Sequence, residues 1–168
     1  MPCACRVPAP DFPTNCSWGP ILWKILHGLA DKYGALVGKM YIVDQEVQWP
    51  RFIELTHKII PCEECREHYE AFLRENHPSI LKALAPADAA LWVQNFFFRL
   101  HNQVNERTEK PIFDFADLHN TYANVNFQYE IKHFEALLKI VFRYNEVTLI
   151  SWMNWVRSLR ALMSIYGL

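Results

Sequence analysis

Two cysteines separated by two residues, in Pro61-Cys62-Glu63-Glu64-Cys65, are the side chains of this sequence best suited to chemistry. At the start of a helix such a pair can bridge, and the helix N-terminus stabilises a thiolate, the reactive form in disulfide exchange. Glu63 and Glu64 oppose that stabilisation. His68 follows one turn later, so zinc is a second reading: Cys62, Cys65 and His68 would supply three ligands, with Cys16 or the Cys3/Cys5 pair closing a tetrahedron. A third is a pair of buried, reduced cysteines acting as small core residues. Cys3-Ala4-Cys5 would close a small strained ring, the exchange-prone kind of disulfide, and could pass electrons inward; two uninvolved thiols on a tail are the alternative.

A second constellation is His101-Asn102-Gln103-Val104-Asn105. His101 and Asn105 are four residues apart and share a helix face, as do Trp23 and His27. Each pair alone reads equally as satisfied polar groups or helix ends. Together, beside a CxxC, they could line a cleft for a planar, hydrogen-bonding cofactor, which physics alone does not name.

The elements that must position these residues read as helices. Glycine is scarce, apolar residues recur with a 3.6 period, and no convincing alternating strand pair is found. Pro20 marks the start of a first helix with the stripe Ile21, Leu22, Ile25, Leu26, Leu29 and Tyr33, ending at Gly34. A second begins near Pro50, carries Phe52, Leu55 and Ile59, and stops around Pro61. The third opens at Cys62 and runs to Asn76. A fourth, from about Asp88 to Arg107, is apolar nearly all round and is expected to be the most buried. Thr108 to Asp117 reads as an ordered loop, because its aromatic residues need somewhere to pack. Two further stripes, Phe134 to Phe142 and Leu149 to Met163, predict a helical hairpin.

Composition bounds the whole. The 168 residues are 51% hydrophobic and 21% charged, enough apolar material for one sizeable core. Aromatic residues at 14% exclude collagen-like, low-complexity and acidic disordered classes. A net charge of -1 with scattered positive residues leaves no basic face, so no nucleic-acid partner is expected. The apolar stretches around Phe12 to Trp23, Ala89 to Phe98 and Val147 to Val156 are too short to span a bilayer. Met1 to Thr14, proline-rich with one Arg and no apolar run, reads as neither a secretory nor a transit peptide. The five cysteines all fall at or before Cys65, so their role is local and not a framework for the fold.

The ordered set Trp23-x-x-x-His27, Pro61-Cys62-Glu63-Glu64-Cys65, His101-Asn102-x-Val104-Asn105 and Lys110-Pro111-x-Phe113 resembles the Erv/ALR family of FAD-linked sulfhydryl oxidases, over Trp18 to Phe115. The resemblance implies an all-α fold: a four-helix bundle, often dimeric, holding FAD beside the CxxC, here with an additional C-terminal helical hairpin. It implies that Cys65 is the flavin-proximal cysteine, bearing a charge-transfer thiolate, and Cys62 the interchange cysteine. Gly19, Trp23, His27, His101, Asn102, Val104, Asn105, Lys110 and Phe113 match FAD-contacting positions, and Cys3/Cys5 would be the shuttle pair. Residues 1–17 would then be a mobile arm, 18–117 the oxidase bundle and 118–168 an extension. A structural disulfide common in the family would fall at Arg74 and Phe115, and is replaced by packing; Phe96 stands where a Trp is frequent. The extension makes the chain more like family members encoded by large DNA viruses.

The function implied is oxidation of substrate thiols, on proteins or a thioredoxin-like carrier, through Cys62/Cys65 to FAD and on to oxygen, yielding hydrogen peroxide. The rival from another class is a zinc-stabilised helical interaction module using Cys62, Cys65, His68 and Cys16, which would be colourless and would unfold with chelator. A thioredoxin-like exchanger would need a βαβ setting that is not found. A persistent disulfide without a leader points to a virus-infected host cytoplasm or virion, or to the mitochondrial intermembrane space. Since every inferred cofactor contact precedes Asp117, truncation there is expected to leave FAD binding intact and to change oligomeric state.

Overall fold

A computed structural model describes residues 10–34 and 41–168, so Cys3 and Cys5 lie outside the described residues. Among the described residues there is no strand. Seven α-helices follow in order: α1 Asn15–Ala30, α2 Ile42–Thr56, α3 Glu63–Glu75, α4 Pro86–Arg107, α5 Leu118–Tyr122, α6 Phe127–Phe142 and α7 Leu149–Ile165. The all-α expectation holds, as do the third helix, capped by Cys62, and the two C-terminal ones.

Two helix starts differ from expectation. α1 begins at Asn15, because the Thr14 carbonyl accepts from Ser17 N at 2.9 Å and Trp18 N at 3.3 Å. Pro20 therefore lies within the helix, its ring exposed and one backbone bond forgone. α2 begins at Ile42 and contains Pro50. Its first half reverses the usual pattern: Val43 and Val47 face solvent while Gln45 is buried. Gln45 is satisfied there, its Oε1 accepting from Gly34 N at 3.0 Å and from the Tyr166 hydroxyl at 2.7 Å. Gly34, at φ 72°, adopts the left-handed backbone that ends the turn after α1.

The most buried helix is α1 and not, as expected, α4. α1 lies between α4 and α6, and it is buried without interruption from Ile25 through Ala30. α4 leaves Leu91 51% exposed. One apolar core runs through α1, α2, α3, α4, α6 and α7, with Trp49, Phe52, Phe97, Phe134 and Trp155 fully enclosed.

The C-terminal helices clasp the bundle on two sides, α6 on α1 and α7 on α2. They meet each other where Phe134 contacts Trp152 and Trp155. Trp155 stacks on Phe52 at 5.5 Å and donates Nε1 to Thr56 Oγ1 at 3.0 Å. Trp49 Nε1 donates to the Tyr166 hydroxyl at 2.6 Å. Residues on both sides of residue 117 thus share one core. The turn between α6 and α7 also holds the chain before α1: Asp11 accepts from Arg143 Nη2 and the Tyr144 hydroxyl, both at 2.6 Å.

Candidate functional site

Cys62 and Cys65 are joined in a disulfide at the N-terminus of α3. Cys62 is the cap residue, its Sγ accepting from Cys65 N at 3.2 Å. That bond brings one N–H of the first turn onto sulfur, while Glu63 and Glu64 partly offset the positive field of the helix N-terminus. Asn15, from the first turn of α1, places its Nδ2 3.6 Å from Cys65 Sγ and 3.9 Å from Cys62 Sγ. Arg66 fastens the approach to α3, donating Nη1 to Ile60 O at 2.8 Å and Glu146 O at 3.1 Å, and Nη2 to Glu146 Oε2 at 3.0 Å. Sulfurs bonded to each other are not thiolate ligands, and among the described residues no group of three or more His, Cys, Asp or Glu is placed to hold a metal ion. Cys16 is exposed and forms no disulfide among the described residues.

Cys65 lines a cleft of about 660 Å³, a size typical of small-molecule and cofactor sites, with mostly apolar walls. α1 gives Gly19, Trp23 and Lys24, and α4 gives His101, Val104 and Asn105. Lys110 comes from the loop after α4, and Tyr122, Val125 and Glu130 form a wall supplied by α5, α6 and the turn between them. Gly28 makes that wall possible: a Cβ there would stand 2.9 Å from Val125 Cγ2.

An aromatic stack supports the centre. His101 lies flat on Trp23, centroids 4.1 Å apart and planes 9° from parallel. His27 Nε2 and His101 Nδ1 are 3.0 Å apart, and the His27 ring stacks on Tyr122 at 4.6 Å. Burial first, and His101 second, push His27 down to about 3; burial first, and Lys110 second, push His101 down to about 4. Both rings are therefore neutral near pH 7, and one donates its N–H to the other's lone pair.

Seven of the residues singled out from the sequence line this cleft: Gly19, Trp23, Cys65, His101, Val104, Asn105 and Lys110. Three others stand behind the wall. His27 is 3% exposed and backs His101. Asn102 donates Nδ2 to Phe113 O and accepts from Phe113 N, both at 2.9 Å, which clamps the Lys110 to Phe113 segment onto α4. Phe113 reaches Tyr122 at 6.0 Å. Phe115 packs edge-on against Phe98 at 5.1 Å, while Arg74 is exposed on α3. Phe96 stacks with Trp92 at 5.3 Å.

Asn15, Trp18, Tyr69, Tyr122, Asn126 and Glu130 also line the cleft and were not legible from motifs; His68, weighed only as a metal ligand, lines it too. Trp18 Nε1, His68 Nδ1 and Glu130 Oε2 are buried and have no hydrogen-bond partner among the described residues. Buried polar groups are seldom left so, and three in the lining of one cleft fit a ligand that is flat, largely apolar and edged with hydrogen-bonding groups. A flavin nucleotide has that chemistry.

The family model described as Erv1 / Alr family matches residues 20–128, from the sixth residue of α1 through the wall formed after α5. The chain belongs to the Erv1/Alr family. Its relatives include the mitochondrial FAD-linked sulfhydryl oxidase ERV1 of Saccharomyces cerevisiae, 27% identical over 104 residues, 62% of this chain and 49% of that protein. The FAD-linked sulfhydryl oxidase of African swine fever virus (isolate Warthog/Namibia/Wart80/1980) is 31% identical over 108 residues, 62% of this chain and 79% of that one. The putative FAD-linked sulfhydryl oxidase 347L of Invertebrate iridescent virus 6 is 26% identical over 95 residues, 56% and 82% of the two chains. This Erv1/Alr chain thus spans about half the length of the yeast relative and about four fifths of the viral ones. No solved structure matches it significantly.

Proposed function

We propose that this Erv1/Alr chain is a flavin-dependent sulfhydryl oxidase that makes disulfides in substrate dithiols. The observation that carries the reading is the position of Cys65: disulfide-bonded to Cys62, it lines the same cleft as the Trp23–His101 stack. A substrate thiolate attacks Cys62 Sγ, the Cys62–Cys65 bond breaks, and Cys65 leaves as a thiolate beside the α3 N-terminus. The second substrate thiolate then attacks the mixed disulfide, so the substrate leaves as a disulfide, two protons are released and the enzyme holds two reduced cysteines. FAD held in the cleft would supply the acceptor for that electron pair and the route by which it reaches oxygen, giving hydrogen peroxide.

The chain's own residues do the rest. Asn15 Nδ2 is within reach of both sulfurs as a donor to developing negative charge. Gly19, Trp23, His101, Val104, Asn105 and Lys110 hold the cofactor; His27, Asn102 and Phe113 act through them, by the ring pair and the loop clamp. Cys62 is 6% exposed, so attack on it requires a local opening of the surface.

Cys3/Cys5 is the proposed shuttle. Asp11 is tied to Arg143 and Tyr144, and that same turn is tied by Glu146 to Arg66, the residue after Cys65. The chain before α1 is therefore anchored on the CxxC side, and the six residues from Cys5 to Asp11 span at most roughly 20 Å. Protein thiols or a thioredoxin-like carrier are the proposed substrates and a homodimer the proposed assembly, which sedimentation of the purified protein reads directly. Relatives from viruses and from the yeast mitochondrion accord with either compartment, an infected cytoplasm or virion or the intermembrane space. No described helix is long and apolar enough to cross a membrane.

The test is oxidation of dithiothreitol in air. The purified chain should be yellow, consume the dithiol and release one peroxide per disulfide, while the Cys3→Ser/Cys5→Ser variant should slow with a folded protein dithiol more than with dithiothreitol. A colourless chain, or dithiol loss without peroxide, contradicts the reading; equal slowing on both substrates removes the arm from it.

A further inference from the structure

Glu130 lies on α6, two residues beyond the span matched by the family model, yet it lines the cleft. It is 6% exposed. One carboxylate oxygen, Oε1, accepts from Lys24 Nζ at 2.9 Å. The other, Oε2, is buried with no partner among the described residues, a costly arrangement for a carboxylate, which has acceptor capacity on both oxygens. A staple between α6 and α1 would need only the Lys24 contact. The unmet acceptor is what a ligand with a donor would complete.

Position narrows the donor. Lys24 is nine residues along α1 from Asn15, whose Nδ2 touches Cys65 Sγ, so Glu130 is met roughly 13 Å down the helix from the disulfide. A flavin ring set against Cys65 would have to span that whole distance to present its own N–H there. A phosphate oxygen would be repelled by a carboxylate, whereas a sugar hydroxyl donates to one, as acidic residues do in dinucleotide sites. We propose that Glu130 accepts a hydrogen bond from a sugar hydroxyl of the bound flavin nucleotide, so that α6, outside the matched domain, completes the cofactor site. The proposal rests on the flavin reading above.

The experiment is fluorescence titration of the flavin-free protein with lumiflavin, riboflavin and FAD, for wild type and Glu130→Gln. Loss of one charge-assisted bond should weaken FAD by roughly ten- to a hundredfold, with lumiflavin, which has no sugar, unchanged. An equal loss for riboflavin assigns the ribityl chain; an unchanged riboflavin assigns the ribose of the adenosine half. For the wild-type chain, which needs no variant to fold, FAD analogues lacking the assigned hydroxyl should bind weaker by the same factor. Glu130→Gln binding FAD within twofold of wild type overturns the proposal, as does a lumiflavin loss as large as that of FAD, or wild-type indifference to the missing hydroxyl. If the wild-type chain binds no flavin at all, it is the function that fails.

Discussion

Cys65→Ser should abolish dithiol oxidation. A serine oxygen cannot bridge to Cys62, so no disulfide remains for the substrate to reduce and nothing in the cleft wall can pass electrons inward. The flavin should stay bound, because the Trp23–His101 stack and the Asn102 clamp are built without Cys65. Cys62→Ser should also stop turnover, with a different signature. It frees Cys65 as a thiol in the cleft wall at a helix N-terminus, where thiolate is favoured, and should therefore show a long-wavelength charge-transfer band that Cys65→Ser lacks. Rates on dithiothreitol and visible spectra of the two variants check this; a wild-type rate in either one contradicts the electron path.

Ending the chain after Asp117 should destroy the fold and flavin binding together, contrary to what the motifs alone imply. The cut removes Trp155 from its stack on Phe52, Phe134 and Leu138 from the enclosed core, and Tyr166 from Trp49. It also removes Tyr122, Val125 and Glu130 from the cleft and leaves His27 without its stacking partner. Emptying the Trp155 site alone, as in Trp155→Ala, would cost about 3–5 kcal/mol, a large part of the 5–15 kcal/mol that holds a domain together. Circular dichroism melting and flavin content measure the outcome. A truncated chain that melts cooperatively and retains flavin would show residues 18–117 to be self-sufficient.

What was legible in the sequence is what local chemistry fixes. α3 runs from its N-cap Cys62 to its C-cap Asn76 as expected because its cap, its acidic first turn and its stripe all lie within one short segment. A proline reads as a helix start, but Pro20 and Pro50 each lie inside a helix that begins earlier. Thr14 caps α1 through its carbonyl, which leaves no side-chain signature. In α2 a buried Gln45 is made tolerable only by Gly34 and Tyr166, partners 11 and 121 residues away. The same holds for the site. His101, Asn102 and Asn105 announce themselves by spacing, but the wall from Tyr122 to Glu130 follows from packing against α1, permitted by Gly28 and secured by Lys24, and no motif encodes that.

The central claim is that electrons enter the flavin through the Cys62–Cys65 disulfide. It is tested most directly by adding dithiothreitol to the purified protein without air and following the flavin's visible absorbance. Wild type should bleach with one dithiol per flavin beyond that needed to reduce its disulfides, and recover its colour when air is admitted; Cys62→Ser, with flavin bound, should stay coloured over the same interval. A wild-type flavin that stays oxidised under excess dithiol, or a Cys62→Ser flavin that bleaches as fast as wild type, would contradict the account.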